Sequence, residues 1–323
     1  MSLSRRTFVS GAAALGLSAP LIGCRHEPAS KASGRKKVRL TYGIVSVPKT
    51  RGVFERTLRE QGIDVEWIGP FPNHAPTLQA VATNSADFSF GGSSTPAIQA
   101  ILSGAKLSFV SWATSAPRTT SIIVLPSSGI ASVSDLVGKT VAVNKAGVAE
   151  FLLVAALDKY RIPREKVQVV YMNPPDAAPA FAAGKIDAWA IWQGPLDLAE
   201  VQYGAKRIFQ DDKELDREFD FGTYLVREDY AKQEAETVRN VITAYQTEVA
   251  WANANRAEAV ALSYKISKYP QAVIDKIAAQ DIKSTLSFID DAGIEKLQYA
   301  ADWMSQHQVS SGRLEIAKHV ARV

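Results

Sequence analysis

Ala180-Phe181-Ala182-Ala183-Gly184-Lys185-Ile186-Asp187-Ala188-Trp189-Ala190 repeats the form of Ala80-Val81-Ala82-Thr83-Asn84-Ser85-Ala86-Asp87-Phe88-Ser89-Phe90. Each reads as a helix end, a turn and a strand led by aspartate. Each then breaks into a polar, glycine-containing loop: Gly91-Gly92-Ser93-Ser94-Thr95 after the first, Trp192-Gln193-Gly194-Pro195 after the second. A unit used twice implies two similar α/β lobes. Ligands of parallel sheets sit beyond the carboxyl ends of strands, at loops leading into helices, so two such lobes facing each other place both loops on one cleft. The alternative is coincidence, since short Ala-rich helices before strands are common.

Outward from these stretches the text alternates. Residues 38–44, 64–68, 87–90 and 106–112 read as strands, and residues 52–60, 77–82 and 96–103 as helices. The pattern restarts with strands at 122–125, 140–144, 167–171 and 187–191 and helices at 148–160, 177–183 and 196–203. Beyond a strand at 224–226 the text is helical, with apolar residues at helical spacing over 235–254, 257–266 and 294–307. Strands alternating with helices predict mostly parallel sheets covered on both faces.

Composition narrows the function. Residues 1–37 hold seven Lys or Arg and one acid; the remainder holds 30 basic and 32 acidic residues, a balance of −2. A nucleic-acid partner therefore has no electrostatic support. The single cysteine, Cys24, rules out an intrachain disulfide and a cysteine-based metal site, and the four histidines show no metal-ligand spacing. No metal or cofactor is expected. At the start, Arg5-Arg6 precedes an uncharged apolar run ending in Leu21-Ile22-Gly23-Cys24. This is the pattern of a twin-arginine export signal over residues 1–24; the alternative is a buried helix. The ending resembles a lipobox with Cys24 as the lipidated residue. Residues 25–37 then read as a flexible tether, and the expected location is outside the cytoplasm, periplasmic and lipid-anchored.

The stretch from Val38 to about Glu200 resembles the solute-binding proteins of ABC importers for aliphatic sulfonates, taurine and nitrate, which share a fold with thiamine-precursor-binding proteins. The resemblance is carried by Phe71-Pro72, Ala86-Asp87-Phe88, the run from Val133 to Lys145, Pro174-Pro175-Asp176-Ala177 and Ile186-Asp187-Ala188-Trp189-Ala190-Ile191-Trp192. It implies a type II periplasmic-binding-protein fold: two α/β lobes, each a mostly parallel sheet flanked by helices, joined by two crossing segments. Residues 38–125 with 222–323 would form one lobe and 126–221 the other, with crossings near Leu125 and Phe221. It also implies capture of a small organic anion such as a sulfonate, an ABC permease as partner and a monomeric state.

A sulfonate stays charged at any biological pH, so its site must supply donors, and backbone N–H groups at helix starts do so. Gly92, Ser93, Ser94 and Thr95 fit this, with Pro96 suited to a first helical turn; an ordinary N-cap is the alternative. Ala146, Gly147 and Val148 open a second helix where the family usually has small hydroxyl residues, so only backbone donors remain there. Glu150, in that first turn, either repels an anion or is solvated. Trp112 and Trp192 are candidate apolar walls, and Trp189 reads as core. Gln193 stands where the family commonly has aspartate. Thr223 and Tyr224 follow the return crossing and offer hydroxyls. His74 lies on a cleft-side loop or on the plain surface, and Arg118 is either an anion partner or a surface arginine.

Three function classes follow. A lipid-anchored receptor that hands a solute to a permease explains the signal, the tether and the paired lobes. An enzyme on the same scaffold, of desulfinase or pyrimidine-precursor type, needs a nucleophile or metal, and only a Ser103-x-x-Lys106 spacing without companion motifs is present. A solute sensor is the third.

Overall fold

In the computed structural model, which describes residues 34–323, the two aspartate-led turns have the same geometry. Asn84 and Gly184 both take positive φ, 60° and 65°. Ser85 N–H bonds Ala80 O at 2.8 Å and Lys185 N–H bonds Ala180 O at 2.9 Å. This is a Schellman-type helix end. The aspartates that follow also do one job. Asp87 clasps Arg39, its N–H donating to Arg39 O and its Oδ2 accepting from Arg39 N–H at 2.7 Å. Asp187 clasps Thr140 in the same way, with Oδ2 accepting at 2.8 Å. Each repeat thereby fastens a helix–turn segment to a parallel-paired strand of its own sheet, one beginning at Lys36 and the other at Thr140.

The chain runs β1 (Lys36–Gly43), α1 (Val47–Arg51), α2 (Val53–Glu60), β2 (Ile63–Phe71), α3 (His74–Ala82), β3 (Gly92–Ser93), α4 (Ser94–Leu102) and β4 (Leu107–Ala116). Next come β5 (Ser121–Val124), β6 (Thr140–Val143), α5 (Val148–Lys159), β7 (Gln168–Tyr171), α6 (Pro174–Ala182), β8 (Ala188–Ile191), α7 (Pro195–Tyr203) and β9 (Lys206–Gln210). After α8 (Asp211–Glu214) follow β10 (Gly222–Arg227), α9 (Glu228–Gln233), α10 (Ala235–Ala254), α11 (Arg256–Tyr264), α12 (Gln271–Ala278), β11 (Lys283–Phe288) and α13 (Asp291–Gln306).

The first sheet takes strands from both ends of the chain. β1 pairs parallel with β2, and β11-β4-β10-β3 is antiparallel throughout. Phe88 joins the two parts, bridging Leu40 in parallel and Val226 in antiparallel. The expected strand at 87–90 is thus reduced to a single bridging residue. The second sheet has the order β7-β6-β8-β5-β9, parallel around β6 and antiparallel around β5. The sheets are therefore mixed, because the strands next to the crossings run back against their neighbours.

Both faces of each sheet are covered, so successive residues enter opposite cores. Phe109 and Leu225 face one cluster, Val110 and Val226 the other. In the second sheet Val141 and Ala190 face one side, Ala142 and Trp189 the other. Trp189, 1% exposed, is core.

Two segments connect the sheets. The first covers residues 117–120, upstream of the expected point near Leu125, because β5 belongs to the second sheet. The return runs from Asp211 to Phe221. Arg118 ties them together: its Nε donates to Asp211 Oδ1 at 2.9 Å and its Nη2 to Leu215 O at 3.0 Å. Gln210 Nε2 reaches Arg118 O, and Asp211 N–H reaches Thr120 O. Arg118 is therefore a clamp between the crossings, with its guanidinium already committed.

The expected strand at 38–44 begins earlier, at Lys36, so the last residues assigned to the tether are paired in the sheet. The export signal, Cys24 and residues 25–33 of the tether lie outside the described residues. Among the described residues no helix is long and apolar enough to cross a membrane.

Candidate functional site

The loop between Phe90 and α4 has little room for side chains. A Cβ on Gly91 would lie 2.5 Å from the Tyr224 ring, and one on Gly92 would lie 2.3 Å from His74 Cγ. Glycine at both positions lets the backbone run between the two rings. Gly92 and Ser93 pair with Thr223 and Gly222 of β10, and the buried Thr223 hydroxyl donates to Gly92 O at 3.1 Å. The Tyr224 ring packs on Tyr245 at 4.6 Å, and burial raises its phenol well above the ordinary value, with the Gly91 backbone opposing.

At the start of α4 four donors converge on one oxygen. Asp220 Oδ1 accepts from Ser93 Oγ at 2.6 Å, Ser94 Oγ at 3.0 Å, Thr95 Oγ1 at 3.0 Å and Thr95 N–H at 3.3 Å. Ser93 also caps the helix, accepting from Thr95 N–H. Ser94 and Thr95 are fully buried. Convergent hydroxyls at a helix start are suited to holding an anion, and here the chain's own carboxylate takes the place. Burial raises the Asp220 carboxyl above its ordinary value, against the lowering effect of these hydrogen bonds.

His74 forms the other wall. It is 4% exposed, its Nδ1 lies 2.8 Å from Ser93 O, and its ring meets Phe90 at 5.4 Å. Ser93 O can only accept, so Nδ1 carries the proton and Nε2 is a bare acceptor that makes no hydrogen bond. Burial pushes the imidazole down to about 4, with the Ser93 bond opposing. His74 is a buried residue at the start of α3, packed against the loop, and not a surface histidine.

The second helix start is also self-capped. Ala146 has φ +52°, and its N–H donates to Glu150 Oε2 at 2.7 Å. Glu150 is 6% exposed and pairs with Arg164 and with Tyr171 Oη. It is therefore neither solvated nor a free charge facing an anion. Gly147 is required, because a Cβ there would overlap the Asn144 amide at 1.6 Å. Val148 is partly exposed at the first turn of α5.

The remaining candidates are spread out. Trp112 spends its indole N–H on Asp290 at 3.0 Å and packs against Phe221 and the Gly293 backbone. Trp192 is partly buried against both clusters of the second sheet. Gln193 Nε2 donates to Gln280 Oε1 at 2.9 Å, and Gln280 Nε2 donates to the buried Asp197 at 2.6 Å. These two bonds link the start of α7, beside the second sheet, to the segment that follows α12. Asn73 and Asn173, each just before a helix, meet at 2.8 Å and make another contact between the sheets' loops. The structure thus gathers Gly92, Ser93, Ser94, Thr95, Thr223 and Tyr224 around one loop, sets Ala146, Gly147 and Val148 at another, and gives Gln193 to a contact across the units.

Asp220, Gln280, Asn173 and Arg164 escaped the sequence reading. Only Asp220 carried a local signal, an acid between two aromatic residues, Phe219 and Phe221. Next to it Glu218 is pushed up to about 7 by burial, with Arg118 and Lys296 opposing and Asp211 and Asp220 reinforcing. Among the described residues no cluster of His, Cys, Asp and Glu could hold a metal ion.

The family profile described as NMT1/THI5 like matches residues 49–259. A protein of Escherichia coli (strain K12), provisionally named an aliphatic sulfonates-binding protein, is 27% identical over 280 residues, covering 87% of this chain and 85% of that protein. The alkanesulfonate-binding protein SsuA from Xanthomonas axonopodis pv. citri, solved bound to MOPS, superposes with a TM-score of 0.81 at 25% identity, covering 90% of this chain and all of that one. The periplasmic aliphatic sulphonate binding protein SsuA from Escherichia coli gives 0.77 at 25% identity, covering 88% and 92%. The two-lobe α/β fold of these proteins is the fold of this chain.

Proposed function

From its place in the NMT1/THI5-like family, to which this chain belongs, we propose that it is the extracytoplasmic solute-binding component of an ABC importer. It captures a small organic anion, an aliphatic sulfonate in the first instance, and hands it to a membrane permease. The observation that carries this reading is the α4 start, where three hydroxyls and a backbone N–H converge on a single carboxylate oxygen. Such a donor set is built for a permanently ionised oxyanion and needs no full positive charge to hold one. The likeness to sulfonate-binding proteins over nearly the whole chain supports it.

In this reading residues 38–120 with 222–323 form one lobe, residues 121–221 the other, and the solute sits between them. The crossings clamped by Arg118 act as the hinge, and the Gln193–Gln280 and Asn73–Asn173 bonds belong to the closed form. Cys24 carries the lipid that keeps the monomeric receptor at the membrane. The protein binds stoichiometrically and turns nothing over. Native mass spectrometry of the purified protein tests this: a co-purified organic anion released only by unfolding supports it, and conversion of a sulfonate or sulfinate with release of sulfite refutes it.

A further inference from the structure

Asp220 lies on the return segment between the two sheets, yet its carboxylate is seated in the donor set of α4. All four hydrogen bonds fall on Oδ1. One oxygen serving four donors is a crowded arrangement; a head group with three oxygens distributes the same donors over separate atoms. The loop also carries a second feature addressed to a guest. His74 Nε2 is a buried acceptor without a donor, on a ring whose other nitrogen is bonded to Ser93 O. A buried acceptor left without a donor is unfavourable, and a solute with an N–H or O–H beside its anionic group would relieve it.

We propose that Asp220 is a built-in competitor for the solute: its carboxylate stands where the solute's anionic group goes, a three-oxygen head group displaces it, and its return helps expel the solute. The inference rests on the reading of the chain as a sulfonate receptor. It makes Asp220 the residue that sets both affinity and head-group selectivity. A carboxylate solute offers the donors nothing that Asp220 does not already supply, whereas a sulfonate does. Because Asp220 belongs to a connecting segment, its seating is also tied to any movement of one sheet against the other.

The test is calorimetric titration of ethanesulfonate and of propionate into the full-length protein, Asp220→Ala and Asp220→Asn, with thermal unfolding to establish that each variant is folded. Asp220→Ala is expected to bind ethanesulfonate about tenfold tighter and to gain measurable affinity for propionate, with Asp220→Asn in between. Folded variants that bind ethanesulfonate no better than the wild type overturn the competitor role and leave the receptor reading standing. If neither wild type nor variants bind any sulfonate, the receptor reading fails, and inorganic sulfate decides the role of Asp220. Thermal stabilisation by sulfate in Asp220→Ala alone supports displacement; no stabilisation in any form overturns it.

Discussion

Replacing Gly92 by alanine tests how tightly the loop is built. The new Cβ would lie 2.3 Å from His74 Cγ, 2.6 Å from its Cβ and 2.7 Å from its Cδ2. Contacts that short are far inside van der Waals separation, so something must move by about an ångström. The imidazole cannot swing freely, because Nδ1 is bonded to Ser93 O, Phe90 flanks the ring and the site is closed to solvent. Nor can the strand, which is paired with Thr223 and accepts that residue's hydroxyl. Overpacking of a filled core costs about 1–3 kcal/mol, and loss of the His74–Ser93 bond adds about 1 kcal/mol. A destabilisation of about 3 kcal/mol follows, read by urea unfolding followed by tryptophan fluorescence. Truncating His74 to alanine costs stability alone but opens the space the new methyl needs, so Gly92→Ala/His74→Ala is expected to fall short of the summed single effects by more than about 1 kcal/mol. Gly92→Ala within about 0.5 kcal/mol of wild type, or strict additivity of the pair, would refute the packing argument.

Arg118→Met removes the clamp between the crossings and leaves Asp211, whose carboxyl burial already raises, without its cation; a loss of about 3 kcal/mol is expected, partly restored by adding Asp211→Asn in a double-mutant cycle. The pH dependence has two opposed parts. His74 titrates near 4 in the folded chain against about 6.5 unfolded, so its contribution is complete above pH 6.5 and is lost as pH falls towards 4, by about 3 kcal/mol; His74→Phe is expected to flatten this part in denaturant melts across pH 4–7. Glu218 has the opposite sign: its folded value is pushed up to about 7 from 4.5, so its contribution is present below pH 4.5 and is lost as pH rises through 7. Glu218→Gln is accordingly expected to stabilise the protein at pH 8 and to have little effect at pH 4, and a stabilisation that is the same at both would contradict this assignment.

What the sequence made legible was whatever sits in local pattern. The doubled Ala-rich helix, turn and aspartate appear in the structure with matching hydrogen bonds at residues 80–87 and 180–187, because a helix end and a strand head are decided by neighbours. β11 was hidden for the converse reason. Lys283–Phe288 puts Ser284 and Thr285 against Ser115 and Thr114 through paired hydroxyls, so an edge strand carries too little apolar signal to stand out from the helices around it. β9 (Lys206–Gln210) escaped too, being short and mixed in polarity. The hydroxyls of Ser93, Ser94 and Thr95 could be named from their place before a helix. That an acid more than 120 residues away fills them could not, since Asp220 arrives only through the pairing of β10 with β3. Gln193 was likewise readable as a loop residue, but its partner Gln280 depends on how α7 meets α12.

The most direct measurement is a crystal structure of the protein grown with 2-bromoethanesulfonate, whose bromine is located by its anomalous scattering. The account predicts one site between the two sheets, with sulfonate oxygens on Ser93, Ser94 and Thr95 and the Asp220 carboxylate moved off the α4 start. A bromine peak at the outer surface alone, with Asp220 still bonded to all three hydroxyls, would contradict it.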